Sequence, residues 1–194
     1  MASIIKFDNV EFILNKDKII NINFDISEKK IIELQGSMRK EILKLTASII
    51  KYKRGKLTLD GKIVFCPENC ILYQDMTIKE NFEFYCNIAH KKREVCTEVL
   101  KMLDLEKDKN TMVLKLSDEE KTICQIGIFS IFDFDIFLIE EPFLFLESKG
   151  RKIIIEYLNK LNTMGKTIIY SVTDTENIGF SNKVIKFLDS GEGI

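Results

Sequence analysis

Side chains able to do chemistry are concentrated at three places. Glu140 and Glu141 are adjacent carboxylates that follow the apolar run Ile136–Ile139 and precede Pro142. Two carboxylates there are either a solvated acidic strand end or a metal site. Gly36-Ser37-Met38-Arg39-Lys40-Glu41 lies where the apolar run Lys30–Leu34 gives way to apolar residues at helical spacing. A glycine turn into a helix is structural by default. It is also where the free N–H groups and positive dipole end of a helix can receive phosphate. Ser117 opens a third site, with Glu120 three residues on. That spacing is a capping box, which accounts for Asp118 and Glu119 as acids of a first helical turn. Cys66 and Cys70 could be half a metal site, but no second cysteine or histidine pair completes it. The five cysteines therefore read as reduced structural thiols, and His90 as an exposed residue in a polar join.

The elements that must hold these residues follow from periodicity. Ile4–Phe12 alternates apolar and polar residues, as a half-buried strand does, and Lys18–Ile26 repeats the pattern after a polar turn. An antiparallel pair is predicted. Beyond Gly36, residues Ile42, Leu43, Leu45, Ile49 and Ile50 recur at helical spacing through Lys51. Gly55–Leu59 and Ile63–Phe65 flank Asp60-Gly61, a strong hairpin signal. Ile78–Ala89, Glu94–Leu103 and Ser117–Phe132 read as helices, Ile136–Ile139 as a buried strand, and Arg151–Met164 as a helix stopped at Gly165. Two more strands are expected at Thr167–Ser171 and Lys183–Phe187. Such alternation implies a parallel sheet covered by helices. The expectation is one α/β unit over residues 1–194, with a helical insertion at about 78–132.

Composition narrows the function classes. Lysine plus arginine (29) balance aspartate plus glutamate (30), a net charge of −1, whereas nucleic-acid binders carry a basic excess or stripe. Hydrophobic residues at 45% and charged residues at 30% fit a globular chain. The start of the chain lacks a signal-peptide pattern, and no apolar run reaches the roughly 18 residues of a membrane span. A soluble protein is expected, with any membrane contact made through another polypeptide.

Order and spacing then carry a resemblance. YKRGKLTLDGK (Tyr52–Lys62) is followed by Ile63–Tyr85 with a D-x-T-x-x-E-N pattern at Asp75–Asn81, then LSDEEK (Leu116–Lys121) and LIEEP ending at Pro142. From about Ile4 to Gly191 the chain resembles the nucleotide-binding domain of ATP-binding cassette (ABC) transporters. The resemblance implies a P-loop NTPase-like ABC ATPase fold: a mostly parallel sheet core, an N-terminal antiparallel β portion and a helical subdomain. It implies ATP and Mg²⁺ as ligands, and a membrane permease or another ABC subunit as partner. It also implies a cytoplasmic location, peripheral to the membrane. Gly36, Ser37, Met38, Arg39, Lys40 and Glu41 take phosphate-loop positions, and Glu68 takes that of the Q-loop glutamine. Ser117, Asp118 and Glu119 take signature positions, Glu147 that of the D-loop aspartate, and Thr173 that of the H-loop histidine. Glu141 takes the position of the general base; Glu140, with Glu68, is the candidate Mg²⁺ ligand. No adenine-stacking aromatic stands near Leu14.

The same positions depart from the family's chemistry. Aligned on the following helix, the phosphate loop starts at Glu33 and keeps only Gly36 of the family's three glycines. Arg39 replaces a lysine, and a guanidinium fork is not interchangeable with an ammonium. Lys40 puts a cation where the family holds Mg²⁺. Asp118 and Glu119 replace signature glycines. A carboxylate about 4 Å from a phosphate charge costs roughly 4 kcal/mol at an effective dielectric near 20. One charge-assisted hydrogen bond returns about 1.5–3 kcal/mol. The leading reading is thus a non-catalytic ABC subunit, a pseudo-ATPase that pairs with a permease or a second subunit. The alternatives are a residually active ATP-hydrolysing subunit and a soluble regulatory or immunity-type module. Glu68–Asn87 and the helices to Leu103 would form the docking surface, with Phe82, Phe84 and Tyr85 as anchors. Phe143–Leu146 (FLFL) is either core or contact surface.

Overall fold

A computed structural model describes residues 4–14, 18–27, 29–173 and 179–187. Its elements begin with β1 (Ile5–Leu14), β2 (Lys18–Ile26), β3 (Ile31–Gly36), α1 (Arg39–Thr46), β4 (Arg54–Leu59) and β5 (Ile63–Cys66). Three helices follow, α2 (Ile78–Ile88), α3 (Arg93–Met102) and α4 (Asp118–Phe129). The chain continues through β6 (Ile136–Ile139), α5 (Ser148–Thr163), β7 (Thr167–Ser171) and β8 (Lys183–Phe187).

Two sheets result. The antiparallel one has order β2-β1-β4, and the other, order β5-β6-β7-β3-β8, is parallel throughout. This is the expected mixed α/β architecture. Two local expectations are overturned. α1 ends at Thr46 and does not run on to Lys51. β4 and β5 do not form a hairpin: β4 pairs with β1, and β5 pairs with β6. Asp60-Gly61 is a turn that carries the chain from one sheet to the other. It is pinned from the far sheet, where the Asp135 carboxylate accepts the Lys62 N–H at 2.9 Å.

The central parallel strands β3, β6 and β7 are buried on both faces, as helix-covered strands must be. On one face Ile136 and Leu138 of β6 join Ile32 and Leu34 of β3 in a core with α1 and the antiparallel sheet. On the other, Phe137 and Ile139 pack with Phe82, Leu103, Cys124 and Leu158 from the helices. Gly127 lets α4 close on α2. A Cβ there would lie 2.4 Å from Leu103 Cδ1 and 3.0 Å from Phe82 Cζ. All five cysteines are free, and burial pushes the Cys66 and Cys124 thiols far above their ordinary range.

Candidate functional site

Parallel strands bring their C-terminal ends to one edge. Cys66 lies opposite Ile139, Ile139 opposite Tyr170, and Leu34 opposite Ser171. The segments that follow therefore meet where open α/β sheets hold ligands. They are Ser37-Met38 leading into α1, Pro67-Glu68 after β5, Glu140-Glu141 after β6, and the stretch to Thr173 after β7.

At this edge α1 delivers three cations to three carboxylates. Arg39 Nε donates to Glu141 Oε1 at 2.6 Å, with side chains only 17% and 3% exposed. Lys40 Nζ pairs with Glu68 Oε2, and Lys44 Nζ with Glu140 Oε1 at 3.1 Å. Cross-ties close the lattice. The Glu68 N–H reaches Glu140 Oε2 at 3.4 Å, and Ser171 Oγ accepts the Glu141 N–H at 3.1 Å. Glu141 also holds a left-handed backbone, φ 49. That conformation costs a non-glycine residue about 1–3 kcal/mol and persists only where its surroundings enforce it. Here Arg39 and Ser171 grip the residue from two sides. Lys44 and Ser171 had no signal as site residues in the sequence, although Lys44 lies one helical turn from Lys40, on the same face.

The turn itself corrects the alignment made from α1. Glu33 is no loop residue. It sits within β3, paired to Tyr170 and Val184 and buried between them. Its carboxylate accepts from the Tyr170 hydroxyl and the Gln35 amide, each at 2.6 Å. Burial, then the Glu33 carboxylate, hold the Tyr170 phenol protonated far above its usual range. Because β3 runs on to Gly36, only Ser37 and Met38 join it to α1. The G-x-x-x-x-G-K pattern places five residues between first glycine and lysine; Gly36 and Arg39 are separated by two. Gly36 has a local reason of its own: φ is 93, and a Cβ would lie 2.0 Å from the Phe187 carbonyl oxygen. Nor does Met38 face the edge. It is fully buried with Ile42 and Leu43. Glu41 is the acid of α1's first turn.

The LSDEEK segment forms the capping box read from its sequence. Ser117 Oγ accepts the Glu120 N–H at 3.2 Å, and Glu120 Oε2 accepts the Ser117 N–H at 2.8 Å. Asp118 is largely exposed beside Lys121. Glu119 departs from expectation by turning inward. Its Oε1 accepts the N–H of Glu147, the N-cap of α5, at 3.1 Å. A helix N-terminus favours a carboxylate, and Gly150 leaves room for it, since a Cβ there would lie 2.0 Å from Glu119 Oε1. The repulsion argument therefore applies to Asp118 alone. Thr173 lies half-buried just beyond β7, while the expectation at Leu14 concerns a side chain outside the described residues.

Among the described residues no group of three or more His, Cys, Asp or Glu side chains is placed to hold a metal ion. Instead, Glu68 and Glu140 each hold a lysine ammonium. Beside them, a cleft of about 210 Å³ runs between Asn69, Cys70, Asp118, Lys121 and Phe145. FLFL is split between two environments. Phe143 packs edge-on against Tyr170 and Phe180, whereas Leu144 and Phe145 are exposed. Of the expected anchors, Phe82 is wholly buried and cannot serve as one. Phe84 and Tyr85 are half-buried and cluster with exposed Tyr73, the ring centroids 4.9–6.2 Å apart.

Comparison with known proteins supports the fold. No family model matches the chain. An uncharacterized ABC transporter ATP-binding protein of Methanocaldococcus jannaschii is 28% identical, over 90% of this chain and 70% of that protein. The linearmycin resistance ATP-binding protein of Bacillus subtilis is 23% identical, over 96% of this chain and 67% of its own length. A metal-chelate-type ABC transporter in an inward-facing conformation superposes with TM-score 0.84 at 17% identity, covering 100% of this chain and 82% of that one. A dimeric ATP-binding cassette bound to ADP and phosphate superposes with TM-score 0.81 at 24% identity, covering 97% and 96%. Among the described residues no helix is long and apolar enough to cross a membrane. In fold and in sequence kinship, the chain is of the ABC nucleotide-binding-domain type.

Proposed function

We propose that this chain is a non-catalytic ABC transporter subunit, acting on the cytoplasmic side of a membrane through a permease, another ABC subunit or both. The observation that carries the reading is the neutral lattice of Arg39–Glu141, Lys40–Glu68 and Lys44–Glu140. Mg²⁺ would have to displace a lysine from each carboxylate it used. The phosphates of ATP would meet a turn of two residues in place of a wrapping loop. On the signature side, Ser117 and Glu119 are occupied by helix caps. The residues present do not fit Mg-ATP, and no hydrolytic step is assigned to Glu141.

What remains for such a subunit is assembly. Tyr73, Phe84 and Tyr85 offer an aromatic patch on the segment where the family receives its permease, and Lys40 ties that segment to α1 through Glu68. Calorimetric titration of the purified chain with ATP, with and without Mg²⁺, tests the reading. The expected result is no saturable, Mg²⁺-dependent heat. ATP hydrolysis that disappears in Glu141→Gln refutes it.

A further inference from the structure

The two sheets end in four edge strands, β2 and β4 of the antiparallel sheet and β5 and β8 of the parallel one. An edge strand presents N–H and C=O groups to any other chain, and folds keep such edges from pairing by charge, brevity or cover. Three of these edges are protected in that way. β4 carries exposed Arg54 and Lys56, β8 carries exposed Lys183 and Lys186, and β5 has only four residues. β2 is the exception. It runs for nine residues, Lys18–Ile26, and its inner stretch Ile19–Phe24 (IININF) holds no charge, proline or glycine. Among the described residues no strand lies on its outer side.

The two faces of β2 set what a further strand must offer. Ile20, Ile22 and Ile26 are buried, whereas Asn21, Asn23 and Asp25 are exposed. Phe24 is only half-buried, although its ring stacks on Phe7 at 4.6 Å and meets Phe187 edge-on at 5.2 Å. A strand extending the sheet must bring apolar residues to the inner face and uncharged polar residues to the outer one. β2 has that pattern itself. Laid antiparallel on a second copy about a two-fold axis through Ile22, it overlaps along its full length. Asn21 then falls opposite Asn23, Ile20 opposite Phe24, and Lys18 opposite Ile26. Facing positions differ by an even number, so Ile20, Ile22, Phe24 and Ile26 of both copies share the inner face. No two like charges meet, which is what permits the pairing.

We propose that β2 pairs with β2 of a second copy of this chain, joining two three-stranded antiparallel sheets into one of six strands. Asn21 and Asn23 amides hydrogen-bond across the outer face, and Ile20 of the second copy covers Phe24 on the inner one. Such a two-fold interface uses the same patch on both copies and closes at the dimer. The pairing uses none of the residues of the ion-pair lattice and holds whether or not nucleotide binds.

Analytical ultracentrifugation of the full chain tests the pairing. A single strand edge makes a small interface, so a monomer–dimer equilibrium with a Kd on the order of 100 µM is expected. Asn21→Lys/Asn23→Lys sets like charges opposite one another and should weaken the dimer at least about tenfold. Asn21→Lys/Asn23→Glu sets opposite charges at the same positions and should keep it, with melting curves of dilute samples confirming that both variants fold. In the unaltered chain, amide exchange within Ile19–Phe24 should slow as concentration rises, a readout that needs no variant. A chain still monomeric at about 1 mM overturns the inference. So does a dimer that both variants retain or both lose, growth beyond the dimer, or β2 exchange indifferent to concentration.

Discussion

Arg39→Met is the sharpest probe of the sheet edge. Methionine keeps most of the side chain's length and apolar stem but removes the guanidinium. Glu141, only 3% exposed, is then left charged and without its ionic partner. Breaking a buried pair by removing one member typically destabilises by about 3–5 kcal/mol, because the remaining charge is stranded. For a chain of this size each kcal/mol moves the melting temperature by roughly 2–4 °C, so the loss should be about 6–20 °C. Lys40→Met is the internal control. Its pair is 31% and 27% exposed, and such half-open pairs contribute about 0–1 kcal/mol. Urea denaturation of wild type, both single variants and Arg39→Met/Glu141→Gln completes the comparison. Neutralising Glu141 in the Arg39→Met background should recover most of the stability. If Arg39→Met costs no more than Lys40→Met, or if Glu141→Gln fails to rescue it, the lattice is not the buried, mutually satisfied unit described.

Gly36→Ala should destabilise by at least about 2 kcal/mol in urea titration, since it forces a side chain into a left-handed φ and against the Phe187 carbonyl. Ser117→Ala removes one half of a capping box and should cost about 1 kcal/mol by the same measurement. Acid should weaken the fold through caps and surface pairs. Hydrogen bonds from the Thr77 backbone and hydroxyl lower the Glu80 pKa below its ordinary 4.5, and Lys149 and Lys91 do the same for Asp104 and Asp133. A depressed folded-state pKa gives stability that is full above the ordinary value and lost as pH falls through the folded one. Urea midpoints should therefore drop below pH 4.5, and Glu80→Gln, which keeps an acceptor for the cap, should flatten part of that fall.

Much of the fold was legible because burial imposes period. Ile136–Ile139 and Thr167–Ser171 are buried throughout, and the Ser117/Glu120 spacing states its own cap. Errors arose where the deciding group lies far away in sequence. Asp60-Gly61 carries the same local signal whether the next strand folds back or crosses to another sheet, and Asp135, from beyond α4, is what pins it. Counting back from α1 places Glu33 at a loop position. Its strand pairing with Tyr170 and Val184 moves the loop's start by three residues. Motif position groups Phe82 with Phe84 and Tyr85, yet it lies one helical turn from buried Ile78 and Cys86. Helical spacing distinguishes the buried face from the outer one, where motif position does not.

The individual substitutions at the sheet edge make chemical sense only together. Glu68, Glu140 and Glu141 crowd one edge, where like charges without a counterion would repel. In an intact nucleotide site a divalent ion can meet that demand. Here Arg39, Lys40 and Lys44 meet it from a single helix. Reverting one position at a time therefore works against the chain. Lys40→Ser restores the hydroxyl the family uses for Mg²⁺ but strips Glu68 of its partner, and Arg39→Lys replaces the fork that now satisfies Glu141. The connection from Gly36 to α1 would still be three residues too short to wrap a phosphate. On this reasoning such single reversions lower stability without creating ATP affinity. Recovery of binding requires lengthening the turn while the carboxylate partners are withdrawn, a combination that calorimetry on the lengthened and unlengthened variants distinguishes directly.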